Sequence, residues 1–82
     1  MKKIRFLPNV PTEIRAIDKR NAMKILETIH SYAANGTGDV KALSGEFDGL
    51  LRLRVGNYRV LFDETADTIN IHRVGERGKV YR

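Results

Sequence analysis

Gly56 and Asn57 constrain this chain more tightly than any other pair of residues. They separate two runs in which apolar and charged side chains alternate. A glycine at the first place of a two-residue loop favours a tight hairpin, because it enters positive φ without strain. A loop that short also fixes register. Val55 then faces Tyr58, Arg54 faces Arg59, Leu53 faces Val60, Arg52 faces Leu61 and Leu51 faces Phe62. Successive strand residues point to opposite faces. One face therefore collects Leu51, Leu53, Val55, Tyr58, Val60 and Phe62, and the other carries Arg52, Arg54 and Arg59. Like charges directly across a ladder are unfavourable. A sheet that stacks arginines all the same is suited to a polyanion.

The charge distribution points the same way. The chain has 82 residues and a net charge of +5. Residues 1–50 hold eight Lys/Arg against six Asp/Glu, whereas residues 51–82 hold seven against four. A basic excess, denser at the C-terminal end, suits nucleic acid, an acidic protein partner or an anionic membrane, with plain solubility as the alternative. The length implies one domain over residues 1–82. There is no cysteine, which excludes disulfides and thiolate metal sites. The first residues alternate instead of leading into an apolar run, unlike a signal peptide. No stretch approaches the roughly 20 apolar residues of a membrane span. A soluble, cytoplasmic protein without membrane partners is the expectation.

Residues 3–7 alternate as a short strand that Pro8-Asn9 ends. Residues 11–17 read as a short helix, with Pro11 suited to its first turn. Asp18 reads as the N-cap of a longer helix over residues 19–35. Its apolar stripe is Ala22, Ile25, Leu26, Ile29, Tyr32 and Ala33, and Asn35-Gly36 is a natural stop. Residues 37–49 read as a loop. Strands follow at residues 50–55, 58–63 and 68–74. The fold class is α+β in the order β-α-α-β-β-β. It is a small antiparallel sheet with both helices on its apolar face and a basic, concave face opposite.

A four-residue second turn, residues 64–67, sets Asp63 against Thr68, Phe62 against Ile69, Val60 against Ile71 and Arg59 against His72. Ile69 and Ile71 then join the core. A row Arg54–Arg59–His72 crosses the other face, conditional on register. The remaining chemistry is sparse. The two histidines, His30 and His72, lie on different elements, so no metal site is suggested. A phosphate-binding glycine loop is absent, and Ser31 and Ser44 carry no sign of a catalytic triad.

Four segments carry a family resemblance. They are Ala42-Leu43-Ser44-Gly45 with residues 51–62, His72-Arg73-Val74-Gly75-Glu76-Arg77, and Val80-Tyr81-Arg82. Together they resemble the RelE/ParE superfamily of toxin–antitoxin toxins, on the RelE side. The resemblance implies a ribosome-dependent mRNA endonuclease without cofactor or metal, in which the ribose 2′-hydroxyl attacks the adjacent phosphate. It implies catalytic roles for Arg52, Arg59, Arg77 and Tyr81, with Arg54, His72, Lys79 and Arg82 on the RNA backbone. The arginines are read as exposed side chains. The implied partners are the ribosome with its message and a cognate antitoxin in a hetero-oligomer. The chain departs from the pattern at Leu50, where some members carry a cation, and at Glu76. The ParE branch, which inhibits DNA gyrase without nuclease activity, is the alternative.

Overall fold

The computed structural model describes residues 1–81, so Arg82, an expected RNA contact, lies outside the described residues. The chain runs β1 (Lys3–Phe6), α1 (Val10–Arg15), α2 (Lys19–Asn35), β2 (Asp39–Ala42), a 3-10 turn (Gly45–Phe47), β3 (Leu51–Val55), β4 (Tyr58–Glu64) and β5 (Thr68–Glu76). The α2 boundaries follow from its caps. Asp18 accepts a hydrogen bond from the Asn21 backbone N–H at 3.1 Å. That bond and a second from the Asn21 side chain hold the Asp18 carboxyl below its usual range, the side-chain bond contributing most. At the other end Gly36 adopts φ 77° and returns its N–H to the Tyr32 carbonyl at 2.8 Å.

The sheet order is β1-β5-β4-β3-β2. Both helices cover one face, and the α+β class is as expected. Two details differ from expectation. Residues 39–42, read as loop, form β2 antiparallel to β3. A four-residue strand with charges at Asp39 and Lys41 carries almost no periodic signal, and short charged strands are typical of sheet edges. In addition, β1 runs parallel to β5, so the sheet is mixed. The two helices carry the chain from β1 at one edge of the sheet to β2 at the other.

The first hairpin has all five expected pairs, Leu51–Phe62 through Val55–Tyr58. Gly56 takes φ 59° and no described non-glycine residue has positive φ, which is the pattern of a II′ turn. The second hairpin is tighter than expected. The Thr65 N–H donates to the Thr68 carbonyl at 2.9 Å, and the Thr65 hydroxyl accepts from the N–H groups of Asp67 and Thr68. Glu64 therefore faces Ile69, Asp63 faces Asn70 and Phe62 faces Ile71. This two-residue shift preserves the faces, so Ile69 and Ile71 still enter the core.

A bulge then interrupts β5. His72 is the extra residue, after which Leu61 faces Arg73, Val60 faces Val74 and Arg59 faces Gly75. Without it Ile71 and Val74, three apart, could not both point inward; with it both are buried. Helix α1 secures the bulge. The Asn9 amide donates to the His72 carbonyl at 2.9 Å, and the Val74 N–H donates to Glu13 Oε1 at 2.8 Å. These are β5 groups that the short β1 does not reach.

The core joins Val10, Ile25, Ile29 and Ala33 of the helices to inward residues of β3, β4 and β5, with Phe62 its largest fully buried side chain. Tyr32 meets Phe62 edge-on at 5.3 Å. Its hydroxyl donates to Glu64 at 2.5 Å, and Lys2 donates to the other Glu64 oxygen at 2.6 Å. Among the described residues no helix is long and apolar enough to cross a membrane.

Burial first, and Glu64 second, push the Tyr32 hydroxyl up to about 12. Its folded pKa thus exceeds the unfolded value of about 10. The associated stability is complete below pH about 10 and is lost as pH rises toward about 12. Tyr32→Phe removes this dependence. Urea midpoints between pH 9 and about 11.5 should fall for the wild type and stay flatter for the variant; equal slopes would show that Tyr32 is not the titrating group.

Candidate functional site

The face turned away from the helices is built in rows that register dictates. One row is Asp39–Arg54–Arg59–Gly75 and the next is Lys41–Arg52–Leu61–Arg73. The like-charge pair Arg54–Arg59 is therefore present as expected. The expected third member, His72, is not. Gly75 stands opposite Arg59, because the tighter turn and the bulge move β5 by three positions there. His72 instead bonds Asp63, whose carboxyl also accepts from Asn70 at 2.8 Å. The Asn70 bond first and the His72 bond second hold Asp63 below the usual carboxylate range. Asp63 lies four residues along β4 from Arg59, roughly 13 Å at the rise of a strand.

This face is not bare. Arg59 is only 7% exposed and Leu61 is fully buried, although both point away from the core. The C-terminal segment accounts for the cover. Beyond β5 the chain reverses, with the N–H groups of Lys79 and Val80 both bonding the Glu76 carbonyl at 2.9 Å. Val80 is buried, and a Cβ on Gly75 would lie 3.6 Å from its own Cβ. Gly75 shares the face of Arg59, so Val80 folds over that face. The following residue, Tyr81, meets Phe47 of the 3-10 turn edge-on, with ring centroids 5.6 Å apart.

Arg59 is held by its own hairpin. Its Nη1 donates to the Gly56 carbonyl at 2.8 Å and to the Tyr58 carbonyl at 2.9 Å. No carboxylate neutralises it among the described residues. Burial first, then the charges of Arg54, Arg52 and Arg77, lower its pKa, opposed by the proximity of Tyr81. Arg52, Arg54, Arg59, Arg77 and Tyr81 therefore form one electrostatic group. Among the described residues only Arg52 of this group has a partial counter-charge, Asp39 at 3.1 Å, and its Nε is buried without a hydrogen-bond partner. Arg54 and Arg77 are exposed. The Arg77 N–H bonds the Asn57 carbonyl at 2.9 Å, which ties the C-terminal segment to the hairpin tip. Lys79 lies outside the group, paired with Glu76 at 3.8 Å.

Such an arrangement is suited to an anion. Guanidinium groups with few internal partners keep donors for an external oxyanion. Two contributors escape sequence reading. Asp39 gave no signal because β2 was not recognised, and Phe47 lies in a stretch without periodicity. Among the described residues no group of three or more His, Asp or Glu is placed to hold a metal ion.

No protein-family model matches the chain. It is 35% identical over 79 residues to the toxin RelE3 of Methanocaldococcus jannaschii, covering 95% of this chain and 85% of that one. Among solved structures it resembles the RelB–RelE antitoxin–toxin complex of Methanococcus jannaschii, with a TM-score of 0.75, 25% identity and 94% of each chain covered. It resembles the toxin–antitoxin complex RelBE2 of Mycobacterium tuberculosis equally, with a TM-score of 0.76, 25% identity, and coverage of 93% of this chain and 98% of that one.

The burial of Arg59 corrects the expectation that every arginine here is an exposed side chain. A buried cation among like charges works against folding. Arg59→Met, which keeps the stem volume and removes the charge, should melt at or above wild type in low salt. Arg77→Ala should stay within about 0.5 kcal/mol of wild type, as exposed positions do. Calorimetry of both variants checks this. An Arg59→Met protein several degrees less stable would mean that the turn carbonyl bonds outweigh the repulsion.

Proposed function

This chain belongs to the RelE family of toxins, and on that premise we propose that it is a ribosome-dependent mRNA endonuclease. The observation that carries the reading is Arg59, buried beside Arg52, Arg54, Arg77 and Tyr81 with no carboxylate partner among the described residues. In the proposed reaction the ribose 2′-oxygen attacks the neighbouring phosphorus in line. The bond from phosphorus to the 5′-oxygen breaks, leaving a 2′,3′-cyclic phosphate and a 5′-hydroxyl. One proton leaves the 2′-hydroxyl and one reaches the 5′-oxygen, so the step needs no further reactant.

Negative charge develops on the phosphoryl oxygens during this attack. Arg59, already held by its turn carbonyls, and the arginines around it stabilise that charge and take the part a metal ion has elsewhere. Tyr81, beside these cations, moves one of the two protons. Arg54 also holds flanking backbone, and Lys79 reaches it from the rim. DNA lacks the attacking hydroxyl and is not cut. The ribosome supplies the message, which places the protein's action in the cytoplasm.

An active nuclease of this kind requires restraint. The proposed partner is an antitoxin with an acidic segment that folds along the toxin and covers the arginine face. The antitoxin–toxin complexes of the structural relatives support this reading.

Expression of the chain should arrest growth, and primer extension should map breaks inside coding regions. Arg77→Ala should lower cleavage by about 100-fold, the usual effect of removing one such donor. Intact messages accompanied by loss of DNA supercoiling would overturn the nuclease reading in favour of gyrase inhibition. Association with the antitoxin should slow markedly between low and high ionic strength in stopped flow. A salt-independent rate would remove the electrostatic part of the partner assignment.

A further inference from the structure

Phe47 stands beside the arginine group without belonging to it. Its place is defined by an unusually complete set of local constraints. Gly45 at φ 68° and Gly49 at φ 92° bracket it, conformations that residues with a Cβ adopt reluctantly. The Phe47 N–H bonds the Ser44 carbonyl at 3.3 Å, the Asp48 N–H bonds Gly45 at 3.1 Å and the Leu50 N–H bonds Phe47 at 3.0 Å. The Leu43 N–H to the Leu50 carbonyl, at 3.0 Å, closes the base of the loop. The segment is thus a built turn that presents one ring, at the mouth of the β2–β3 hairpin.

Tyr81 is presented from the other side, by a chain reversal anchored through buried Val80 on Gly75. The two rings meet at 5.6 Å with an interplanar angle of 71°, an edge-to-face geometry. The Tyr81 ring is half-buried, and Phe47 is its aromatic partner. A half-buried ring on a surface turn has several staggered rotamers open to it, and proton transfer tolerates little misplacement. We infer that Phe47 is a positioning residue that holds the Tyr81 ring against the arginine group, so that the Tyr81 hydroxyl acts from one fixed place in RNA cleavage. The inference rests on the nuclease reading.

The alternative for an aromatic ring beside arginines is direct stacking on a nucleobase of the message. The two roles differ in what they alter. A positioning residue changes the rate at saturating substrate and acts only through Tyr81. A stacking residue changes apparent affinity and acts whether or not the Tyr81 hydroxyl is present.

The experiment is a double-substitution cycle on the full chain with purified ribosomes programmed with message, recording kcat, KM and melting temperature. Tyr81→Phe should lower kcat by about 100-fold. Phe47→Ala should lower kcat by about 10-fold or more with KM little changed, and Phe47→Tyr, which keeps the ring, should restore it. The double variant Phe47→Ala with Tyr81→Phe should be no slower than Tyr81→Phe alone. If Phe47→Ala unfolds the protein, Phe47→Leu, which keeps apolar volume but not the ring edge, takes its place in the cycle. A raised KM with unchanged kcat, or multiplicative losses in the double variant, would overturn the positioning role in favour of stacking. An unaffected Tyr81→Phe enzyme would overturn it outright while leaving the nuclease reading intact. A wild-type chain that leaves the message uncut would overturn both.

Discussion

Arg59 donates to two carbonyls of its own hairpin turn, and much of the site depends on that contact. It fixes a guanidinium that would otherwise swing into solvent, away from three like charges. It also costs the hairpin a buried cation with no carboxylate beside it. The fold can sustain this because the opposite sheet face buries a continuous apolar layer against two helices. Hydrophobic burial there, about 25 cal/mol for each Å² of apolar surface, offsets the strain concentrated on the arginine side. Stability and site thus reside on opposite faces of the same strands, and the period of two keeps them apart.

The same logic explains the C-terminal segment. Residues 77–81 hardly contribute to the main core, yet Val80 is fully buried and Tyr81 has a ring partner. They fold over the arginine face at Gly75, where Val80 packs. Val80 packs beside Gly75, the residue opposite Arg59, and the segment that carries it also carries Arg77 and Tyr81. The β5 bulge is a prerequisite, since it determines that Gly75 rather than His72 occupies that row. Asn9 and Glu13, far away in sequence, therefore help shape the site by holding the bulge.

The sequence was legible wherever periodicity met a clear turn. The Gly56-Asn57 loop allowed every pair of the β3–β4 ladder to be read, including Arg54 against Arg59. The α2 stripe and both of its caps were legible for the same reason. The length of the second turn was not, because Glu64 and Thr65 serve equally well as strand or loop. The bulge was invisible: its stabilising bonds come from side chains 61 and 63 residues away. The strand β2 was missed for want of length, and Asp39 and Phe47 were missed with it. What local alternation cannot encode is contact between distant segments, and the site's cover is made of such contacts.

The central claim is that the arginine group stabilises a phosphate attacked by its own ribose. The most direct test is a message on the ribosome with a single 2′-deoxy substitution at the nucleotide where cutting occurs. The account predicts that cleavage at that position disappears, while the unmodified message yields a 2′,3′-cyclic phosphate end. Continued cleavage at the deoxy position would contradict it, because the bond would then be broken by a nucleophile other than the neighbouring hydroxyl.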